Sequence, residues 1–172
     1  APSARIESHF EIASAALISG LTNVVTLRPD TLGVKYSELG LSDHVHALGH
    51  LGDNAASNGW TGHQARMEIE KLHLKEIANM AKKFDSIPEG DGTMLDNTLI
   101  VYVSDNSDKH HASATEWPMF VLGNSGGALN SQGRYLAYPR YGSANHSQTI
   151  GNWLTTITHV AGVPQDHFGQ PD

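Results

Sequence analysis

The 172-residue chain contains no cysteine. Disulfides, thiolate metal sites, iron–sulfur clusters and cysteine nucleophiles are therefore excluded. The chain also has no apolar run close to the ~20 residues that a membrane-spanning helix requires. Eleven Lys and Arg stand against eighteen Asp and Glu, which gives a net charge of -7. Because no basic cluster offsets this charge, a nucleic acid is an unfavourable partner.

The N-terminal segment also lacks two features. "APSARIESHFEIAS" has neither the charged region and apolar core of a signal peptide nor an initiator methionine. We therefore expect a processed, engineered or partial form of a protein. The length of 172 residues favours a single domain, residues 1–172, because domains average about 150 residues.

Histidine is the abundant residue, with eleven in the chain. It is the commonest neutral metal ligand and a frequent general acid or base. Surface and capping roles, or an expression tag, are the alternatives. No histidine run stands at either end, so a tag does not explain the number.

Apolar strands alternate with helices along the chain. Helices are predicted at residues 9–20, 61–87 and 146–161, where Gly20 and Gly162 are stop signals and Thr61 is an N-cap. Strands are predicted at 22–27, 97–105, 117–124 and, as a short edge strand, 133–139. Residues 30–59 show no periodicity, which is typical of a functional or disordered loop. The order predicts an α/β fold, a mostly parallel sheet with helices on both faces.

The second predicted helix carries a clear apolar stripe. Its members are Ile69, His73, Ile77, Met80 and Phe84. Because His73 falls on this stripe, we expect a core histidine with its hydrogen bonds satisfied.

The first candidate site is "SDHVHALGHLGD", residues 42–53. The spacing from His46 to His50 suits one face of a helix, as in i, i+4 metal pairs. Gly49 and Gly52 weaken the prediction of a helix. The alternative is a polar loop whose histidines cap or hydrogen-bond the backbone.

Two further candidate groups follow later in the chain. The first surrounds the end of a predicted strand and contains Asp105, Asp108, His110, His111 and Glu116. Adjacent histidines diverge, so we expect one of His110 and His111 to act; the alternative is a solvated turn. The second is His146, before the last predicted helix, where the alternative is a neighbour of the N-cap.

Together these groups favour a metal or anion site at one edge of the sheet, since ligands bind beyond the carboxyl ends of parallel strands. Asp and His ligands without Cys suit a divalent metal such as Zn²⁺ or Mn²⁺ better than Ca²⁺. The chain has neither a G-x-S-x-G motif nor a phosphate-binding P-loop, and "GNSGG" is predicted to be a turn.

Long stretches of the chain resemble a known family. "EGDGTMLDNTLIVYVSD", "HHASATEWPMFVLGNSGGALNSQGRYLAYP" and "TIGNWLTTITHVAGVPQDHFGQPD" closely resemble the C-terminal half of the exported bacterial family called domain of unknown function 1552. "ALISGLTNVVTL" and "HVHALGHLGD" match the preceding part of that family. The resemblance covers nearly the whole chain.

That family looks like a distant relative of the alkaline phosphatase and sulfatase superfamily. The resemblance implies an alkaline-phosphatase-like fold, of which this chain would be the C-terminal part, with a metal centre at the strand ends. It implies a divalent metal, zinc for example, with ligands His44, His50, Asp105 and His146. His110 or His111 would be a ligand or the general acid. Asn106 stands where the superfamily usually has a second histidine ligand.

Two functions follow from this resemblance. The first is an exported metal-dependent hydrolase that acts on a small anionic phospho- or sulfo-ester. The second is a non-catalytic exported module of the same fold that holds a structural metal or a partner. The nucleophile would lie in the family's longer N-terminal part, which is missing here. The first strand would be missing too, so the exposed sheet edge favours a protein partner.

Overall fold

The structure is a computed structural model that describes residues 1–104, 117–130, 132–139 and 148–169. The chain divides into two compact units, Ala1–Lys83 and Phe84–Asp172. The first contains helix α1 (Pro2–Ile18), a 3-10 turn (Ser37–Leu39), helix α2 (Val45–Leu51) and helix α3 (Gly62–Asp85), whose last two residues belong to the second unit. The second contains β1 (Pro88–Glu89), β2 (Gly92–Thr93), α4 (Met94–Asn97), β3 (Ile100–Val103), β4 (Met119–Leu122) and α5 (Ile150–Val160).

Helix α1 ends near the stop that the sequence predicts. Gly20 has a left-handed φ of 69°, and its amide donates to the Leu17 carbonyl. The Leu21 amide donates to the Ala16 carbonyl. These two bonds form a Schellman motif, which satisfies carbonyls that a helix leaves unpaired at its end. The predicted stop at Gly20 is confirmed.

Helix α3 begins and packs as its sequence predicts. Thr61 Oγ1 accepts from the Gln64 amide, and Gln64 Oε1 accepts from the Thr61 amide, so the two residues form a capping box. The predicted apolar stripe is buried along its whole length, at Ile69, His73, Ile77, Met80 and Phe84. The hydrophobic periodicity therefore identified the buried face correctly.

Helix α1 buries Ile6, Phe10 and Ala13 within the first unit. An ion pair joins Glu11 Oε2 on α1 to Lys83 Nζ on α3 at 2.6 Å. Both side chains are exposed to water, so the pair contributes little to stability. Burial of the apolar side chains is the larger stabilising contribution.

Strands β3 and β4 pair antiparallel in the second unit, with Ile100 opposite Leu122 and Val103 opposite Met119. The rings of Tyr102 and Phe120 face each other across the pair, with centroids 5.0 Å apart. Aromatic cross-strand pairs of this kind stabilise a sheet by roughly 0.2–1 kcal/mol.

Gly123 brings the chain back towards α4 directly after β4. It has a φ of 80°, and a Cβ atom there would overlap the carbonyl oxygens of Leu95 and Thr98. The Ser125 amide then donates to the Thr98 carbonyl. A glycine is therefore required at this position. "GNSGG" forms a turn, as predicted.

The predicted mostly parallel α/β sheet is wrong. Within the described residues the strands form two sheets of two strands each, and both sheets are antiparallel. The runs at 97–105 and 117–124 do contain strands, but β3 and β4 run in opposite directions. Residues 104–118 are long enough for either a crossover or an open loop, so their length did not decide the direction. The alkaline-phosphatase-like fold that the resemblance implied is therefore wrong as well.

The predicted strand at 22–27 is also wrong, since these residues carry no regular secondary structure. Thr22 Oγ1 donates to the Val24 carbonyl and accepts from the Val24 amide. This local ring uses backbone groups that a strand would need for its ladder. Residues 134–139, in the predicted edge strand, also form no strand.

In the part of the chain that the structure describes, no helix has both the length and the apolar character needed to cross a membrane.

Candidate metal site on helix α2

Helix α2 lies within residues 30–59, where the sequence predicts a loop. The first two backbone amides of α2 donate to carbonyls in the segment of residues 32–34 that precedes the helix. The Val45 amide donates to the Val34 carbonyl at 2.9 Å, and the His46 amide donates to the Leu32 carbonyl at 3.0 Å. These amides have no partner inside the helix, so the loop supplies the acceptors that the helix start needs.

His44 caps the same end of α2. Its Nδ1 accepts from the Ala47 amide at 3.1 Å, and its carbonyl accepts from the Leu48 amide. A neutral imidazole that accepts at Nδ1 carries its proton on Nε2. Metal binding through Nε2 would therefore require the proton to move and the cap to break. The geometry favours the capping role, and the ligand role predicted for His44 stays a prediction.

The other end of α2 lies against the start of α3. A Cβ atom on Gly62 would lie 2.7 Å from both the Leu48 carbonyl oxygen and Leu51 Cβ. The His63 amide donates to the Gly52 carbonyl at 3.0 Å. The absence of a side chain at Gly62 therefore permits the close approach of the two helices. Hydrogen bonds fix the start of α2, and packing against α3 fixes its end, which explains why a helix forms despite Gly49.

His46 and His50 bring their ring nitrogens together on one side of α2. The two Nε2 atoms are 3.2 Å apart, and the rings meet edge to face, with centroids 4.9 Å apart and an interplanar angle of 73°. This arrangement follows from the i, i+4 spacing, which places both side chains on the same helix face. His46 is half-buried and His50 is exposed, so water reaches the pair.

A distance of 3.2 Å between these nitrogens permits two chemical states. One imidazole can donate its proton to the other. Alternatively, both nitrogens can bind one ion: two ligands at ~2.0–2.1 Å from a tetrahedral zinc stand about 3.3–3.4 Å apart. The observed separation is within about 0.2 Å of that value, so the distance between the two nitrogens is compatible with a shared ion.

The neighbouring acid of this cluster is already engaged. Asp43 Oδ2 accepts from the Ser57 amide at 2.6 Å. Hydrogen bonds from the side chain and the amide of Ser57 lower the pKa of Asp43. Across residues 1–104, 117–130, 132–139 and 148–169, no group of three or more His, Asp or Glu side chains is placed to hold a metal ion. In this cluster the structure therefore offers a pair of possible ligands, His46 and His50.

One predicted ligand, His50, belongs to the His46–His50 pair, and its role as a ligand stays a prediction. His46 was not in the predicted ligand set, although its i, i+4 spacing from His50 was the signal that could have placed it there. The remaining predicted residues, Asp105, His110, His111 and His146, lie outside the described residues, so the structure does not test their roles.

A buried network forms a second group of titratable side chains in the first unit. Tyr36 Oη donates to Asp30 Oδ2 at 2.9 Å and lies 2.9 Å from His73 Nε2. His73 Nε2 is also 3.6 Å from Asp30 Oδ2. Because the single hydroxyl proton goes to Asp30, His73 donates its Nε2 proton to Tyr36. The prediction of a satisfied core histidine at His73 is confirmed.

Burial changes the titration of this network. Desolvation and the nearby Asp30 carboxylate raise the pKa of Tyr36 far above its usual value. Desolvation lowers the pKa of His73, although the negative charges of Asp30 and Glu70 oppose that change. At neutral pH both Tyr36 and His73 are therefore uncharged.

Comparisons with known proteins do not assign a family: no family profile, no curated protein and no solved structure gives a significant match to this chain. The resemblance to the exported bacterial family, and export itself, stay predictions.

Proposed function

We propose that this chain is a metal-binding module that holds a divalent transition-metal ion between His46 and His50. The observation that carries the proposal is the 3.2 Å separation of the two Nε2 atoms on α2. The pair would supply two ligands, and water or further side chains would complete the coordination of a bound ion. It differs from the metal- or partner-binding module expected from the sequence, which had an alkaline-phosphatase-like fold and the ligands His44, His50, Asp105 and His146.

The character of the donors indicates the class of metal. Imidazole nitrogen suits zinc, copper and nickel, whereas calcium and magnesium prefer oxygen ligands. The order of affinity along the first-row metals favours Cu²⁺ over Ni²⁺ and Ni²⁺ over Co²⁺. Imidazole binds a metal in its neutral form, so protons compete with the metal for these nitrogens.

Calorimetric titration with Ni²⁺ at pH 7.5 tests the proposal. We expect the wild-type protein to bind an ion whose affinity falls about tenfold or more in both His46→Ala and His50→Ala, because each variant removes one of two ligands. His9→Ala is the matched control, since His9 is an exposed histidine on α1. Its affinity should equal that of the wild type.

X-ray absorption at the zinc edge supplies a second measurement. We expect two imidazole nitrogens at ~2.0–2.1 Å in the wild-type protein, and fewer in His50→Ala. Wild-type affinity in both His46→Ala and His50→Ala would refute the proposal, because the ion would then bind elsewhere in the chain.

Hydrolysis of a small anionic phospho- or sulfo-ester stays a separate prediction. It relied on Asp105 and on His110 or His111, which lie outside the described residues, and on a parallel sheet edge that the described strands do not form. A protein partner, or a missing N-terminal half, likewise stays a prediction. Phosphatase and sulfatase assays of the metal-loaded protein would test the hydrolytic prediction directly.

A further inference from the structure

We infer that the buried network of Asp30, Tyr36 and His73 positions the metal pair. The network fixes the loop of residues 31–35, whose carbonyls accept the first two amides of helix α2. Tyr36 is then a positioning residue, because its hydroxyl bonds Asp30 and His73 and it acts on the pair through backbone hydrogen bonds. This inference rests on the proposed metal-binding function and identifies the part of the fold that determines its affinity.

The first step of the argument is the closed loop between Asp30 and Tyr36. The hydrogen bond from Tyr36 Oη to Asp30 Oδ2 joins two residues six positions apart and so closes residues 31–35 into a short loop. Tyr36 is completely buried. Because His73 on α3 donates to the same hydroxyl, the base of the loop is attached to the buried face of a long helix.

The second step is the contact between this loop and α2. The carbonyls of Leu32 and Val34 accept the amides of His46 and Val45. Lys35 and His44 also form an antiparallel bridge. The backbone of His46 is therefore bonded directly to the loop that Tyr36 closes.

The third step is the geometric requirement of the pair. Two imidazoles bind one ion only while their Nε2 atoms stay near the 3.2 Å separation that the structure shows. His46 lies in the first turn of α2, where a helix frays unless its amides are bonded. Loss of the loop carbonyls would release His46 from His50. Groups that orient metal ligands in this way typically change the affinity about 10–100-fold when they are removed.

The test compares Ni²⁺ affinity in variants that remain folded at 20 °C by circular dichroism. Tyr36→Phe keeps the ring and removes the hydroxyl, and we expect its affinity to fall about tenfold or more. Asp30→Asn keeps an oxygen acceptor for Tyr36 and should retain most of the affinity, whereas Asp30→Ala should lose it. Ile6→Val is the control, because it removes a buried methyl group from α1 and none of the groups that form the Asp30–Tyr36–His73 hydrogen bonds.

Hydrogen exchange without metal separates this inference from the proposed function. In Tyr36→Phe the amides of Val45 and His46 should exchange about tenfold faster or more, while those at the centre of α3 keep their protection. Unchanged affinity together with unchanged exchange would overturn the inference. Faster exchange in a protein whose wild type binds no Ni²⁺ would overturn the metal-binding function and leave the positioning of α2 supported.

Discussion

The stability of the Tyr36→Phe variant is the most direct measure of the buried network. The substitution conserves the ring, so it removes hydrogen bonds without opening a large cavity. It takes from Asp30 the hydroxyl that donates to Oδ2 and from His73 the acceptor of its Nε2 proton. Asp30 keeps some contact with water, since its side chain is 19% exposed, whereas the His73 side chain is only 9% exposed.

The expected cost follows from these exposures. A buried polar group left without a partner costs about 1–3 kcal/mol, and a hydrogen bond to a charged group contributes about 1.5–3 kcal/mol. Because water compensates Asp30 in part, we expect a total loss of about 3 kcal/mol in the free energy of unfolding at pH 7. In a protein of this length that corresponds to a fall of about 6–12 °C in Tm.

The pH dependence provides an internal check on the cause. Burial raises the pKa of Tyr36 in the folded protein, so the unfolded chain ionises first. The wild-type protein should therefore lose stability as the pH rises above about 10, the unfolded pKa of tyrosine. The Tyr36→Phe variant lacks this group and should lose less stability over the same pH range. The stability difference between the two proteins should then narrow at alkaline pH.

Urea denaturation of both proteins, at pH 7 and at several values from 9 to 11, measures these quantities. The control is Tyr138→Phe, which removes a hydroxyl from an exposed tyrosine. Its stability should stay within about 0.5 kcal/mol of the wild type. If Tyr36→Phe were equally neutral at pH 7, the network would not stabilise the first unit as described.

Two further predictions concern α3. Burial lowers the pKa of His73, so the unfolded chain takes up the proton first, and wild-type stability should fall as the pH drops below about 6.5. Urea denaturation at pH 7.5 and 5.5 should show a smaller fall in His73→Gln, and equal falls in the two proteins would contradict this cause. Thr61→Ala removes the capping box and should cost about 1 kcal/mol by thermal unfolding, whereas Thr61→Ser should cost less. Equal Tm values for Thr61→Ala and the wild type would show that the cap does not contribute.

Helix α3 was predictable because its determinants are local. The capping residues Thr61 and Gln64 are three positions apart, and the stripe that includes His73 repeats at the helical period. Such signals act between neighbours in the sequence, so a pattern can identify them.

The direction and pairing of the strands were not predictable in this way. An apolar run such as that containing β3 indicates a strand, yet its neighbour and its direction are decided by residues far away in the chain. The run at 22–27 has strand-forming residues, but Thr22 bonds its own neighbourhood instead. Local propensity therefore located β3, β4 and α5 but not the antiparallel pairing of the strands, and it did not predict β1, β2 and α4.

The pairing of His46 with His50 stands between these two cases. The i, i+4 spacing predicts one helix face, but Gly49 and Gly52 argue against a helix at this position. The bonds from Val45 and His46 to the loop, and the close approach of Gly62, supply what the local sequence lacks.

The sequence by itself determined where α3 begins, which of its faces is buried, where α1 stops and that His73 is a core histidine. Each of these depends on interactions within a few residues or on a repeating pattern. Only the tertiary structure decided that β3 and β4 are antiparallel and that α2 holds two imidazoles together. Those features depend on hydrogen bonds and packing between distant segments, and the i, i+4 spacing of His46 and His50 places them on one face only when these contacts form the helix.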